Sequence, residues 1–264
     1  MTNRIDECFD NLKTEGKKGF IPFITAGDPD LNTTVKLVSV MSDAGADIIE
    51  LGVPYSEPVA DGPVIQAATQ RALDKGVTLT KIANAVSQIR KSGVLVPIVL
   101  MSYYNPILQY GLKRFAEDAK NVGVDGVIVP DLPIEESQPL FRELNVNNIH
   151  LIPLVAPTTT DARLKKIAAS AGGFIYCVSV TGVTGEREKI DEELSNLTAR
   201  IKEASKLPVA VGFGVSKPEQ ASYIAKHCDA VIVGSAIVRI IEKNPDAAVD
   251  KVAKAVREFK KSVG

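Results

Sequence analysis

The chain predicts a closed α/β barrel, eight parallel strands each followed by helix, with an extra helix ahead of the first strand. Three observations lead there. Eight short, β-branched apolar segments alternate with helical patterns from one end to the other. The segments are apolar almost throughout rather than at every second residue, as strands of a parallel sheet covered on its outer face are. The 264 residues run without a composition break or a linker, so eight βα units fall into one domain, residues 1–264, of the length usual for a (β/α)8 or TIM barrel. A doubly wound open sheet is the alternative.

In order, a helix over 2–14 precedes the first strand, GFIPFIT (19–25). The turn AGDPD follows, and its Pro29 and Asp30 supply a helix start. Leu31, Val35, Val38 and Met41 then recur on one helical face. The second strand, DIIEL (47–51), runs into a Pro-rich loop. Helical patterns cover 64–75 and 79–92, the latter with Ile82, Val86 and Ile89 on one side. Strand three is VPIVLM (96–101); SYYNPILQYG connects it to a helix ending near Asn121. Strand four, DGVIVP (125–130), leads to a helix over 135–144, and strand five, HLIPLV (150–155), to the helix DARLKKIAAS. Strand six is GFIYCVS (173–179), followed by the glycine-rich VTGVTGEREKID and a helix over 191–205. Strand seven, LPVAVGFG (207–214), the short helix KPEQASYIAKH, strand eight, DAVIVGS (229–235), and a helix marked by Val249, Val252, Val256 and Phe259 complete the chain.

The composition narrows the function classes. With 45% hydrophobic and 24% charged residues and a formal net charge of -1, the chain has no electrostatic footprint for nucleic acid or an anionic membrane. At this size a single domain buries ~75% of the surface its unfolded chain exposes. No run of about 18 apolar residues suggests a membrane span, and MTNRIDECFD lacks the pattern of a secretory signal; the cytoplasm is the expected compartment. The three cysteines, Cys8, Cys177 and Cys228, are far apart, and neither a disulfide framework nor a zinc site is suggested. Of the two histidines, His150 opens a strand and His227 closes a helix, neither beside an evident nucleophile. Acid–base chemistry therefore falls to carboxylates or tyrosine.

In a (β/α)8 barrel the site lies at the carboxyl ends of the strands, and polar and glycine-rich residues gather there. In IELGVPYSEPVADGPVIQ (49–66), period-two alternation puts Glu50 on the face of Ile48. If that face is interior, the carboxylate either costs several kcal/mol or takes up a proton. A second carboxylate, Asp61, lies in a loop stiffened by Pro54, Pro58 and Pro63. The same pattern also suits a rigid surface loop.

Gly212, Gly214 and Ser216 follow strand seven, and Gly234-Ser235 opens directly into a helix. Close backbone approach and a helix N-terminus suit an anion, and these two loops are where such barrels frequently hold phosphate. Gly182, Thr184 and Gly185 suit a lid over bound substrate, or an ordinary connection. Tyr176, within strand six, is either core or catalytic. No lysine stands at a predicted strand end facing this site, against a Schiff-base aldolase, and no His/Asp/Glu cluster has metal-ligand geometry, against a metal aldolase. Phe23, Leu100, Tyr103, Leu154 and Phe213 are candidates for a flat aromatic-binding slot.

Taken together, FITAGDP (23–29), IELGVPYSEPVADGPVIQ, YYNPI (103–107), VPDLP (129–133), VTGVTG (180–185), GFGVS (212–216) and IVGSAIV (232–238) resemble the α-subunit family of tryptophan synthase, in that family's order and over nearly the whole chain. The resemblance implies retro-aldol cleavage of indole-3-glycerol phosphate to indole and glyceraldehyde 3-phosphate. It matches Glu50 to the family's general acid–base, Asp61 to its second carboxylate and Tyr176 to a tyrosine near the reacting carbons. Thr184 matches a lid residue that orients the second carboxylate, and Gly185, Gly214, Gly234 and Ser235 match the phosphate cradle. It also implies no cofactor in this subunit and a partner β subunit, in an αββα complex, that carries pyridoxal phosphate and receives indole through a tunnel. A stand-alone lyase releasing free indole is the alternative; a binding module that only activates a partner is disfavoured by the intact carboxylates.

The chain departs from the family twice. Glu57 replaces the usual aspartate that contacts the β subunit, and Ile134 stands where a second proline is common.

Overall fold

The computed structural model describes residues 2–178, 187–212 and 214–264, with residues 187–193 as backbone only. Its strands are β1 (Gly19–Thr25), β2 (Ile49–Gly52), β3 (Ile98–Met101), β4 (Gly126–Ile128), β5 (His150–Ile152), β6 (Leu154–Val155), β7 (Ile175–Val178), β8 (Val209–Gly212) and β9 (Ala230–Val233). All pair in parallel, in the order β5-β4-β3-β2-β1-β9-β8-β7-β6. The two ends of that order, β5 and β6, are halves of the single fifth strand expected from the sequence. Pro153 divides them because proline has no N–H to give a ladder. The half before Pro153 pairs with β4 and the half after it with β7. The Tyr176 N–H donates to the Pro153 carbonyl at 3.0 Å. The barrel closes through this residue, and the eightfold count holds.

The helices are α1 (Arg4–Thr14), α2 (Leu31–Asp43), α3 (Pro63–Asp74), α4 (Leu79–Lys91), α5 (Tyr104–Tyr110), α6 (Leu112–Val122), α7 (Gln138–Val146), α8 (Asp161–Ser170), α9 (Arg187–Ala204), α10 (Pro218–Ala225), α11 (Ser235–Lys243) and α12 (Ala248–Val263). Two differ in kind from expectation. α5 forms within the segment read as a connection because Asp131, from the VPDLP loop, accepts from the Tyr104 N–H at 2.9 Å and caps it. The C-terminal helical region is two helices, α11 and α12, separated at Asn244-Pro245. Among the described residues no helix is long and apolar enough to cross a membrane.

Alternation along the strands sorts side chains into two cores. Ile21, Ile48, Val99, Ile128, Ile152 and Ile232 point into the barrel, and Ile49, Leu51, Ile98 and Leu100 pack outward against the helix layer. α1 closes the bottom of the interior with Ile5, Phe9 and Leu12, the Phe9 and Phe174 rings 5.7 Å apart. Asn3 caps this helix by accepting from the Ile5 N–H, and its Nδ2 donates to the Asp125 and Asn148 carbonyls, each at 2.9 Å. Among the described residues the lower half of the barrel interior is thus filled with apolar side chains.

The bottom is held by one device used three times. Asp47, Asp125 and Asp229 each stand one or two residues ahead of a strand, and each bonds the neighbouring strand with both backbone and side chain. The Phe20, Ile98 and Val209 N–H groups donate to the three carboxylates at 2.6, 2.8 and 2.9 Å. The aspartate N–H groups return to the carbonyls of the same three residues at 3.0, 2.9 and 2.8 Å. Each carboxylate also meets a cation: Lys260 at 2.6 Å from Asp47, Arg90 at 2.8 Å from Asp125, and Lys202 at 3.5 Å from Asp229. The recurring sequences GADII, GVDGV and HCDAV write this device into the chain. Asp125→Ala strands the Ile98 N–H and removes the carboxylate from Arg90, so it should destabilise the fold by roughly 2 kcal/mol. Denaturant unfolding checks this, and a change below about 0.5 kcal/mol, the scale of an ordinary surface substitution, contradicts it.

Candidate active site

β2 carries Glu50 to the top of the barrel interior, directly above Ile48 on the same face, in register with Phe23 and Val99 of the neighbouring strands. The residue is 1% exposed, and neither carboxylate oxygen has a hydrogen-bond partner among the described residues. A bare carboxylate in such surroundings is costly, so the equilibrium shifts to the neutral acid. Burial, with the charge of Asp61 adding to it, pushes Glu50 from its ordinary 4.5 up to about 8. At neutral pH the shift favours the protonated carboxyl.

Asp61 lies in the loop after β2, half-buried, and is held by groups outside its own segment. The Tyr103 hydroxyl donates to Asp61 Oδ2 at 3.2 Å while accepting from the Ala60 N–H at 2.9 Å. The Tyr55 ring lies 5.2 Å from that of Tyr103, and Asn105 Nδ2 donates to the Tyr55 hydroxyl at 3.4 Å. Tyr103 and α5 thus hold the loop that carries the second carboxylate. Burial raises the affinity of Asp61 for its proton, and the Tyr103 bond opposes that shift.

Tyr176, on β7, is half-buried and faces the same cavity. Its phenol proton is held well above the ordinary range, by burial first and by the charges of Glu50 and Asp61 next. Gly212 makes room for it: a Cβ there would stand 2.7 Å from the Tyr176 hydroxyl oxygen. Two residues on, Gly214 turns the chain with φ +73°, a left-handed conformation open to glycine.

These groups line one cavity of about 390 Å³, a volume suited to a small ligand. Phe23, Met101, Leu154 and Ile232 form its apolar wall; Glu50, Asp61 and Tyr176 face it, with Gly214, Gly234, Ser235 and Arg239 along another part of its lining. Gly234-Ser235 begins α11, and the first N–H groups of a helix have no acceptor within it. With the helix dipole they favour an anion there. A second cavity, of about 290 Å³, lies between the connections after β4 and β6, lined by Leu132, Ile134, Arg163 and Ile167. No buried carboxylate faces it.

Of the residues singled out in the sequence, Phe23, Glu50, Asp61, Leu154, Tyr176, Gly214, Gly234 and Ser235 all line the cavity. Leu100 is a correction. Alternation turns it outward, into the layer formed with Leu79, Phe115 and Val122, and the inward position belongs to its neighbour Met101. Counting by two from Val99 identifies Met101, the same reasoning that placed Glu50. Tyr103, expected in the apolar slot, instead reaches the site through its hydroxyl on Asp61. Glu57 is exposed on the loop after β2. Gly182, Thr184, Gly185 and Phe213 lie outside the described residues. Ile232 and Arg239 were missed; spacing from inward residues of β9 and from Ser235 on α11 marks each. The expectation that neither histidine adjoins a nucleophile is also corrected, since Ser195 Oγ lies 3.0 Å from His227 Nδ1. That pair is not part of the cavity lining.

A parallel barrel closed on itself, with its cavity at the carboxyl ends of the strands, puts the chain among the (β/α)8 proteins. The family model described as tryptophan synthase alpha chain matches residues 9–264, and the chain belongs to that family. A tryptophan synthase alpha chain from Caldanaerobacter subterraneus subsp. tengcongensis is 49% identical over 257 residues, 97% of each chain. One from Clostridium kluyveri is 47% identical over 263 residues, 99% of each. The crystal structure of the tryptophan synthase alpha chain from Legionella pneumophila superposes with a TM-score of 0.92 at 36% identity, covering 100% of this chain and 98% of that one.

Proposed function

We propose that the chain cleaves indole-3-glycerol phosphate to indole and glyceraldehyde 3-phosphate, with Glu50 as acid and then base. The observation that carries this reading is the buried carboxyl of Glu50, unpaired and held protonated at neutral pH at the edge of an apolar slot. Its proton goes to indole C3, and the ring becomes a cationic indolenine whose N–H donates to the Asp61 carboxylate. The adjacent glycerol hydroxyl gives its proton to Glu50, its C=O forms, and the C–C bonding pair returns to the ring. Aromatic indole leaves, glyceraldehyde 3-phosphate remains, and Glu50 is again protonated. Tyr103 keeps Asp61 facing the ring nitrogen, Tyr176 bounds the reacting carbons, and the Gly214, Gly234 and Ser235 rim takes the phosphate. Thr184 and Gly185 complete this arrangement by expectation from the family motif.

These steps use only proton donors and acceptors of this chain. Pyridoxal phosphate belongs to the partner β subunit of an αββα assembly, which takes up the indole for tryptophan synthesis. The loop bearing Glu57 supports that docking, since it also exposes Val59, 82% accessible. The cytoplasm is the compartment this biosynthetic role implies.

Incubation of the chain with indole-3-glycerol phosphate, with and without β subunit, tests the reading directly: indole should form in both, faster with the partner. No indole in either overturns it. Gly212→Val gives a geometric check. Its side chain meets the Tyr176 hydroxyl and displaces the ring, and misplacement of about 1 Å costs on the order of 10²-fold. Indole release should fall by at least about tenfold, with the fold retained by circular dichroism; parental activity removes Tyr176 from the reacting centre.

A further inference from the structure

We propose that Arg239 is a second grip on the substrate phosphate, supplying the positive charge that a cradle of glycine and serine lacks. This rests on reading the cavity as the indole-3-glycerol phosphate site. Arg239 is the one cation among the described residues that line the cavity, where it shares the lining with Gly234 and Ser235. It stands four residues after Ser235 on α11, so the two share a helix face. Side chains on a helix lean toward its N-terminus, and that lean carries a long guanidinium back over the first turn, toward the end where the phosphate is bound. The apolar face of α11, Ile237, Val238 and Ile241, is buried, and Arg239 is exposed beside it.

Among the described residues no carboxylate competes for this guanidinium. Arg71, Arg90 and Arg163 are each held by a carboxylate within 3.0 Å. Glu242, one turn beyond Arg239 on the same helix, is taken by Arg71 at 3.0 Å. Among the described residues Arg239 has no carboxylate partner. The cavity itself calls for a ligand independently, because Glu50, 1% exposed, lines it with two unpartnered oxygens. Glu50 and Asp61 are the carboxyl groups among the described lining residues. With Glu50 neutral, a doubly charged phosphate would otherwise find, among the described lining residues, the negative charge of Asp61 and no positive one. Arginine suits the task, since its planar fork matches two phosphate oxygens.

The test compares the full chain with Arg239→Gln and Arg239→Lys, measuring kinetics of indole release and calorimetry with glycerol 3-phosphate. Arg239→Gln should raise KM for indole-3-glycerol phosphate and weaken glycerol 3-phosphate binding by about tenfold or more, with kcat within about threefold. Arg239→Lys should recover part of the loss. KM of the parent should rise with ionic strength, and that dependence should flatten in Arg239→Gln. Inhibition by indole, which has no phosphate, should be equal in all three proteins. If Arg239→Gln keeps parental KM, salt dependence and glycerol 3-phosphate affinity while the parent releases indole, Arg239 has no phosphate role and the proposed reaction stands. A parent that releases no indole overturns the reaction, and with it this role.

Discussion

Glu50→Gln should lower indole release by ~10²-fold or more and leave the barrel folded. Glutamine keeps the shape and removes the transferable proton. The stability change carries a second signature. In the parent, the native state holds the Glu50 proton up to about 8, against an ordinary 4.5. Between those values the native state binds more protons than the unfolded chain, so this group's contribution to stability falls as pH rises through the window and levels off above it. The glutamine variant lacks that slope. Indole assays alongside denaturant unfolding at several pH values read both effects. Activity within a few-fold of the parent would remove Glu50 from the mechanism.

Ser235→Asp should nearly abolish binding of phosphate-bearing ligands, because a carboxylate then stands at the start of α11 where the anion must sit. Like charges in a partly desolvated site cost on the order of several kcal/mol. An aspartate at this position also suits the helix N-terminus, so the variant should fold at least as well as the parent. Calorimetry with glyceraldehyde 3-phosphate reads the loss, and unchanged affinity would place the phosphate elsewhere.

The parts of this site legible in sequence are those governed by a single local rule. Alternation along β2 put Glu50 above Ile48, and glycines before a helix marked the rim at Gly234 and Ser235. Leu100 was misplaced where that rule was not carried through: its polarity suited the slot, yet only Met101 has the inward phase. Contacts between separated segments were not readable. The Tyr103 hydroxyl on Asp61 spans 42 residues, and the Asp131 cap that makes α5 a helix spans 27. No periodicity within either segment encodes its partner. Pro153 lies between: the break in a strand follows from proline chemistry, whereas closure of the barrel at that break depends on both neighbouring strands. Ile134, a departure from the family motif, opens a short 3-10 turn ahead of α7 without entering the cavity.

The central claim is that Glu50 is a neutral carboxylic acid at the pH where the chain works. Infrared difference spectroscopy of the full chain across a pH titration, with Glu50→Gln as reference, measures that state without relying on turnover. A protonated carboxyl band present at pH 7, absent from the variant and lost on titration near 8 is the predicted result. A Glu50 already ionised at pH 6 would contradict it.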